Sequence, residues 1–272
     1  MTELETVLAT IDAWGADHAA VALIGPDGVV ARHGDPDHRF RWASVTKLAT
    51  AMAVLTAVDD GSIDLDEPAG PPGSTVRHLL AHASGLPFEG RSPIAPLGRR
   101  RIYSNEGFRV LGEHLAARAE MQFARYAHAA VAEPLGLALD TSGHPGAGMH
   151  GSLTDVLAIG QEFLAPRLVA QETKDEMASV QFPGLDGVLP DYGRFSPLDW
   201  GLGVEIKGAA TGTWFGERTS PRTFGHFGGS GTFLWVDPAL GVACAALTTR
   251  EFGQWAKDAW PRLSDAVVSE LA

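Results

Sequence analysis

Cysteine is nearly absent. Cys244 stands alone in 272 residues, so no intramolecular disulfide can form and a cysteine-rich zinc site is excluded. Lysine is scarce too. Of 21 basic residues only Lys47, Lys174, Lys207 and Lys257 are lysines, against seventeen arginines. Acids number 33, which leaves a net charge of −12; that argues against nucleic acid and against an anionic membrane surface as partners. Long hydrophobic runs are missing. The longest, near Leu48–Val58 and Ala239–Thr249, fall short of the roughly 18–20 residues that span a bilayer. The chain starts Met1-Thr2-Glu3-Leu4-Glu5, with acids where a secretion signal carries Lys or Arg. A cytoplasmic protein is expected. There are no internal repeats or low-complexity tracts, no Gly-x-Ser-x-Gly elbow, no His-Glu-x-x-His and no phosphate-binding P-loop pattern. What remains is ordinary for a globular protein: 45% apolar and 20% charged residues.

Periodicity predicts helices over residues 2–16, 44–58, 75–83, 106–119, 122–133, 152–163 and 251–271, the last interrupted at Trp260-Pro261. Strands are expected at 19–24 and 29–33 around the turn Pro26-Asp27-Gly28. Further short strands are expected at 200–207, 212–215, 223–226, 232–236 and 242–249. Strands lie at both ends of the chain and helices in the middle. The expected class is therefore α+β: residues 1–43 plus 195–272 form a sheet domain, and 44–194 a mostly helical one.

Three segments carry chemistry. Ser44-Val45-Thr46-Lys47 opens the Ala-rich helix and puts Ser44 and Lys47 on one face. Ser44 can be read simply as an N-cap. Lys47, however, opposes the helix dipole where a cap prefers Glu or Gln. An arginine cannot shed its proton, whereas a desolvated lysine can serve as a base. Tyr103-Ser104-Asn105 follows Arg99-Arg100-Arg101. Nearby cations would favour the phenolate of Tyr103 and suit it to proton transfer, and Asn105 can bind substrate or hold Lys47; a core aromatic beside a solvated loop is the simpler alternative. His226-Phe227-Gly228-Gly229 ends a strand, where glycines admit a ligand close to the backbone; a plain glycine turn with a satisfied histidine is the alternative. Gly146-Ala147-Gly148-Met149-His150-Gly151 matches a nucleotide-binding pattern but lacks the strand before it and the surrounding βαβ unit. His78 and His82 lack a third metal ligand. Cys244 and the tryptophans at 14, 255 and 260 suit a core, while Trp200 and Trp214 can line a pocket.

Taken in order, Ser44-x-x-Lys47, Tyr103-x-Asn105 and His226-x-Gly228 resemble the serine β-lactamase and penicillin-binding-protein superfamily. The likeness is greatest to its class C β-lactamase, D-amino-acid peptidase and family VIII esterase branch. Phe40-Arg41-Trp42-Ala43, the stretch from Thr75 to Pro87, and Gly151–Asp155 resemble it too. The resemblance implies an antiparallel sheet flanked by terminal helices, with an inserted helical domain and the site between them. It implies that Ser44 forms an acyl-enzyme, that Lys47 and Tyr103 share the proton transfers, and that the amides of Ser44 and Gly229 hold the oxyanion. Asn105, His226 and Gly228 would bind substrate. It implies no metal or other cofactor. Two residues depart from the pattern: His226 replaces the usual Lys, and Phe227 replaces the Ser or Thr whose hydroxyl helps hold a substrate carboxylate. These departures favour an esterase or amidase acting on a small acyl substrate. The alternatives are a β-lactamase or D-amino-acid peptidase, and a non-catalytic ligand-binding homologue. Arg99-Arg100-Arg101 leaves room for a substrate with negative charge.

Overall fold

A computed structural model describes residues 2–271; Met1 and Ala272, the outer ends of the expected sheet domain, lie outside it. The chain begins with α1 (Glu3–Leu8), capped by Thr2 and Glu5 in a reciprocal capping box. The expected helix over 2–16 is thus shorter: residues Ala9–Trp14 tighten into a 3-10 turn, and Gly15 leaves it with φ +66°. Strands β1 (Ala19–Gly25), β2 (Gly28–Gly34) and β3 (Phe40–Arg41) lead into α2 (Thr46–Asp59) and α3 (Val76–Leu80). Next come β4 (Arg101–Ile102), α4 (Asn105–Arg118), α5 (Phe123–Ala127), β5 (His150–Gly151), α6 (Leu153–Leu164) and α7 (Gln171–Met177). The remainder is β6 (Gly187–Leu189), β7 (Gly193–Phe195), β8 (Glu205–Ile206), β9 (Phe224–Gly228), β10 (Thr232–Asp237), β11 (Val242–Thr248) and α8 (Gln254–Leu271).

The main sheet runs β2-β1-β11-β10-β9-β8, with every pair antiparallel. β1 from the start of the chain pairs with β11 from its end, Ala22 opposite Ala245. Side chains alternate across a strand, and here both faces are covered. Ala20, Ala22, Ile24, Leu234, Val236, Ala243 and Ala245 face the helical layer of α2, α4 and α6. Val21, Leu23, Phe233, Trp235, Cys244 and Ala246 face α1 and α8. Double burial is why these strands read as continuous apolar runs.

Two expected strands fail. Of residues 200–207 only Glu205–Ile206 pair as a strand, and 212–215 form none. Their apolar residues are buried for another reason: Trp214 and Phe215 stack at 3.9 Å and fill the layer beside the sheet. α8 also runs unbroken through Pro261. Trp260 is fully buried against Phe233, and that packing outweighs the hydrogen bond a proline removes. In place of one helix over 122–133, α5 widens into a π turn at His128–Ala132.

Candidate active site

The site is assembled where α2 starts. The Trp42 amide bonds the Met149 carbonyl at 3.0 Å. Ala43 then takes φ +44°, the left-handed region that costs a non-glycine residue about 1–3 kcal/mol. A 3-10 turn over Ala43–Val45 carries Ser44 into α2. Ser44 is therefore not the N-cap; Val45 holds that position, and no side chain caps the helix. Free of that duty, the half-buried Ser44 hydroxyl points at other groups.

The β9–β10 hairpin pins this segment down. Ser230 Oγ donates to the Arg41 carbonyl at 2.6 Å, and Thr232 Oγ1 to the Trp42 carbonyl at 2.9 Å. A side chain at Gly228 would stand 2.4 Å from the Trp42 oxygen. The bare backbone there admits the protein's own chain, where the sequence suggests an approaching ligand. Gly229, one residue on in the turn, is exposed, with nothing within 4 Å of its missing side chain.

Lys47 is fully buried. Its Nζ lies 3.4 Å from Ser44 Oγ, 2.5 Å from Asn105 Oδ1 and 2.7 Å from the Gly146 carbonyl. It also sits over the rings of Tyr103 and Phe108, 4.7 and 5.2 Å from their centroids. No carboxylate is among these contacts, and burial pushes the amine well below its usual range. Asn105 reaches Lys47 because Ser104 caps α4, accepting from the Gly107 amide at 2.8 Å. The Gly146 contact was missed from sequence. The glycine-rich run 146–151 is its visible sign: it brings a carbonyl to Lys47, and its loop precedes β5 rather than joining a βαβ unit.

Tyr103 leaves β4 with its hydroxyl between Ser44 and His226. The His226 Nε2 distance is 3.4 Å. Contrary to the sequence expectation, the phenol is pushed up, by burial above all; the Ser44 hydroxyl beside it acts the other way. The expected cation is elsewhere: Arg101 turns its guanidinium to the carbonyls of Ala81, Gln181 and Leu198. His226 is also buried, and its ring is pushed down to about 3, by burial and then by Lys47. Its Nδ1 donates to the Phe227 carbonyl at 2.7 Å, so Nε2 is left as an acceptor facing the Tyr103 hydroxyl. Phe227 turns away into the packing of Trp214, Phe252 and Trp260.

Aromatic side chains enclose this group. Trp200 meets Tyr103, His82 and His226 at 5.9, 4.9 and 5.7 Å. His78 and His82, one helical turn apart in the sequence, face different surroundings. His78 stacks on Phe182; His82, buried with φ +55°, accepts from the Ser104 amide at 3.2 Å and braces Tyr103. Among the described residues, no three His, Cys, Asp or Glu side chains gather as a metal site requires. Trp214 lies deeper and donates to Glu205 Oε2 at 2.9 Å. No helix among the described residues is long and apolar enough to cross a membrane.

Comparison with known proteins agrees with this architecture. The family model for beta-lactamase matches residues 13–141 and 137–268. A beta-lactamase from Mycobacterium bovis has 48% identity and a TM-score of 0.96, covering 97% of this chain and 99% of its own. EstCE1, a hydrolase with promiscuous acyltransferase activity, shares the fold at 17% identity, with a TM-score of 0.80 over 98% and 97% of the two chains. Esterase EstB of Burkholderia gladioli is 33% identical over a segment that makes up 24% of this chain and 25% of the esterase; the match spans about a quarter of that relative's length. With a family match across almost its whole length, on a sheet flanked by terminal helices and faced by a helical layer, the chain belongs to the beta-lactamase family of the serine hydrolase superfamily.

Proposed function

We propose that this protein cleaves a small ester, or an amide, through an acyl-enzyme on Ser44. The observation that carries this reading is Lys47: a buried amine that desolvation shifts toward its neutral form, 3.4 Å from a serine hydroxyl that caps nothing. A neutral amine has two hydrogens and one lone pair. Asn105 Oδ1 and the Gly146 carbonyl take the hydrogens, which leaves the lone pair for the Ser44 proton. Lys47 is then the base. Ser44 Oγ attacks the acyl carbon, and the amides of Ser44 and Gly229 hold the oxyanion. Such a donor is commonly worth about 3–4 kcal/mol. Tyr103, raised by burial, keeps its proton and acts as a relay and acid. As the intermediate collapses, Tyr103 gives its proton to the departing oxygen and takes one from Lys47. Water then cleaves the acyl-enzyme: Lys47 takes a proton from the attacking water and returns it to Ser44 Oγ as the acyl–oxygen bond breaks.

The substrate preference follows from charge. His226, where the resemblance expects a lysine, is neutral, and the Phe227 ring is packed into the core. Neither offers what a β-lactam or D-peptide carboxylate needs. A β-lactamase activity is the second reading, favoured by the likeness to the Mycobacterium bovis protein.

The test is hydrolysis of p-nitrophenyl acetate and butyrate by the protein and by Ser44→Ala, with intact mass spectra of quenched mixtures, alongside a chromogenic cephalosporin. Turnover and an acyl adduct that both vanish in Ser44→Ala are expected. Equal rates and no adduct would refute the reading; faster turnover of the cephalosporin would favour the second.

A further inference from the structure

A groove of about 560 Å³ opens beside the site, within the range of small-molecule pockets. Of Ser44, Lys47 and Tyr103, only Tyr103 lines it. That ring is the shared wall: its hydroxyl faces Ser44 and His226, and it stacks on Phe88 at 6.0 Å. A substrate acylating Ser44 and extending past Tyr103 enters this groove.

Two features set its walls apart. Eight large apolar side chains are exposed among the described residues, and three of them, Phe88, Ile94 and Val188, line this one groove. They stay exposed because they are carried on the 88–101 loop and the short β6. That loop is held in place: the Gly98 amide bonds the Ala83 carbonyl at 2.9 Å, and the Arg101 amide bonds the Asp186 carbonyl at 2.7 Å. The second feature is charge. In a protein of net charge −12, this groove is lined by Arg99, Arg100, Arg101 and Arg194 against a single acid, Asp186. Arg101 is spent on buried carbonyls, and Arg194 pairs with Asp186 at 2.7 Å. Arg99 and Arg100 are exposed, and among the described residues neither forms an ion pair.

We infer that the groove selects amphipathic esters, with an apolar chain against Phe88, Ile94 and Val188 and an anionic group, carboxylate or sulfonate, read by Arg99 and Arg100. This inference rests on the esterase reading above and names its substrate class. It also fits the buried interior of the site: the substrate's charge is met in the groove, which Tyr103 lines and Ser44 and Lys47 do not.

The test compares matched esters by kcat/KM in the wild type and in Arg99→Glu/Arg100→Glu. One pair, p-nitrophenyl octanoate and mono-p-nitrophenyl suberate, places the anion on the acyl side. A second pair, methyl 4-(octanoyloxy)benzoate and its free acid, places it on the alcohol side. Exposed charge pairs contribute modestly, so two arginines should give about a ten-fold preference for the anionic member of one pair. That preference should fall to unity or below in the charge-reversed variant and shrink in 0.5 M salt; the pair that responds assigns the side. Unchanged ratios in both pairs, with the neutral esters still cleaved, would overturn this inference and leave the esterase reading intact. No cleavage and no adduct on Ser44 with any ester would remove both. Val188→Ser supplies an independent check: KM should rise for the octanoyl ester but not for the acetyl ester, and equal values would refute the apolar half.

Discussion

Glu205 offers the sharpest physical test of this fold. It lies in β8, fully buried, one hydrogen bond from Trp214 and with no cation beside it, so burial pushes its carboxyl from 4.5 up to about 8. The folded protein therefore holds a proton there that the unfolded chain releases near pH 4.5. The sign follows. The neutral carboxyl's contribution is fully present below the unfolded value and is lost as pH rises through the folded one. At about 1.4 kcal/mol per pH unit, the cost is about 1 kcal/mol at pH 5, about 3 at pH 7 and about 5 at pH 9. Glu205→Gln keeps an oxygen for Trp214 and removes the titration. Its stability relative to the wild type should therefore rise by about 4 kcal/mol between pH 5 and pH 9. At about 2 °C per kcal/mol for a chain of this size, the Tm gap should widen by roughly 8 °C. Thermal melts of both proteins at pH 5, 7 and 9 measure it. Parallel curves, with a gap independent of pH, would refute the claim that Glu205 is held protonated.

Four other outcomes are expected. In pH profiles of kcat/KM, activity should fall as pH drops through the lowered value of Lys47, because an ammonium cannot take the Ser44 proton; an acid limb near the ordinary lysine value of 10.5 would contradict the assignment. Lys47→Arg, permanently charged, should lose about 10²–10⁴-fold at pH values above the wild type's acid limb. Gly146→Ala would put a methyl 3.2 Å from Asn105 Oδ1 and from Phe108; a displaced carbonyl should lower kcat roughly ten-fold with KM little changed, and an unchanged kcat would show that Gly146 does not position Lys47. Phe227→Ala should destabilise by about 3–5 kcal/mol in urea titrations, as for other buried aromatics; a loss under about 1 kcal/mol would show that the ring is not part of the core packing.

The sequence by itself determined the chemistry-bearing residue types and the main sheet. Ser44 three residues before Lys47 is a local spacing, readable because helix geometry repeats every 3.6 residues. β1, β10 and β11 are apolar runs long enough to stand out, and their pairing from opposite chain ends followed from strands at both termini. Short-range pattern did not show β4, β6 and β7, each two or three residues long. Nor did it separate strand from packed turn at Trp214, since burial makes both apolar. Tertiary structure alone decided the electrostatics. The cations that sequence places beside Tyr103 turn to backbone carbonyls or face the groove, while burial sets the phenol, the Lys47 amine and the His226 ring. Neighbours in sequence report charge; only the packed chain sets how much water each charge keeps, and desolvation is what moves a proton here. The Gly146 carbonyl shows the same limit. It lies 99 residues from Lys47, and its contact is a backbone atom that no side-chain pattern records.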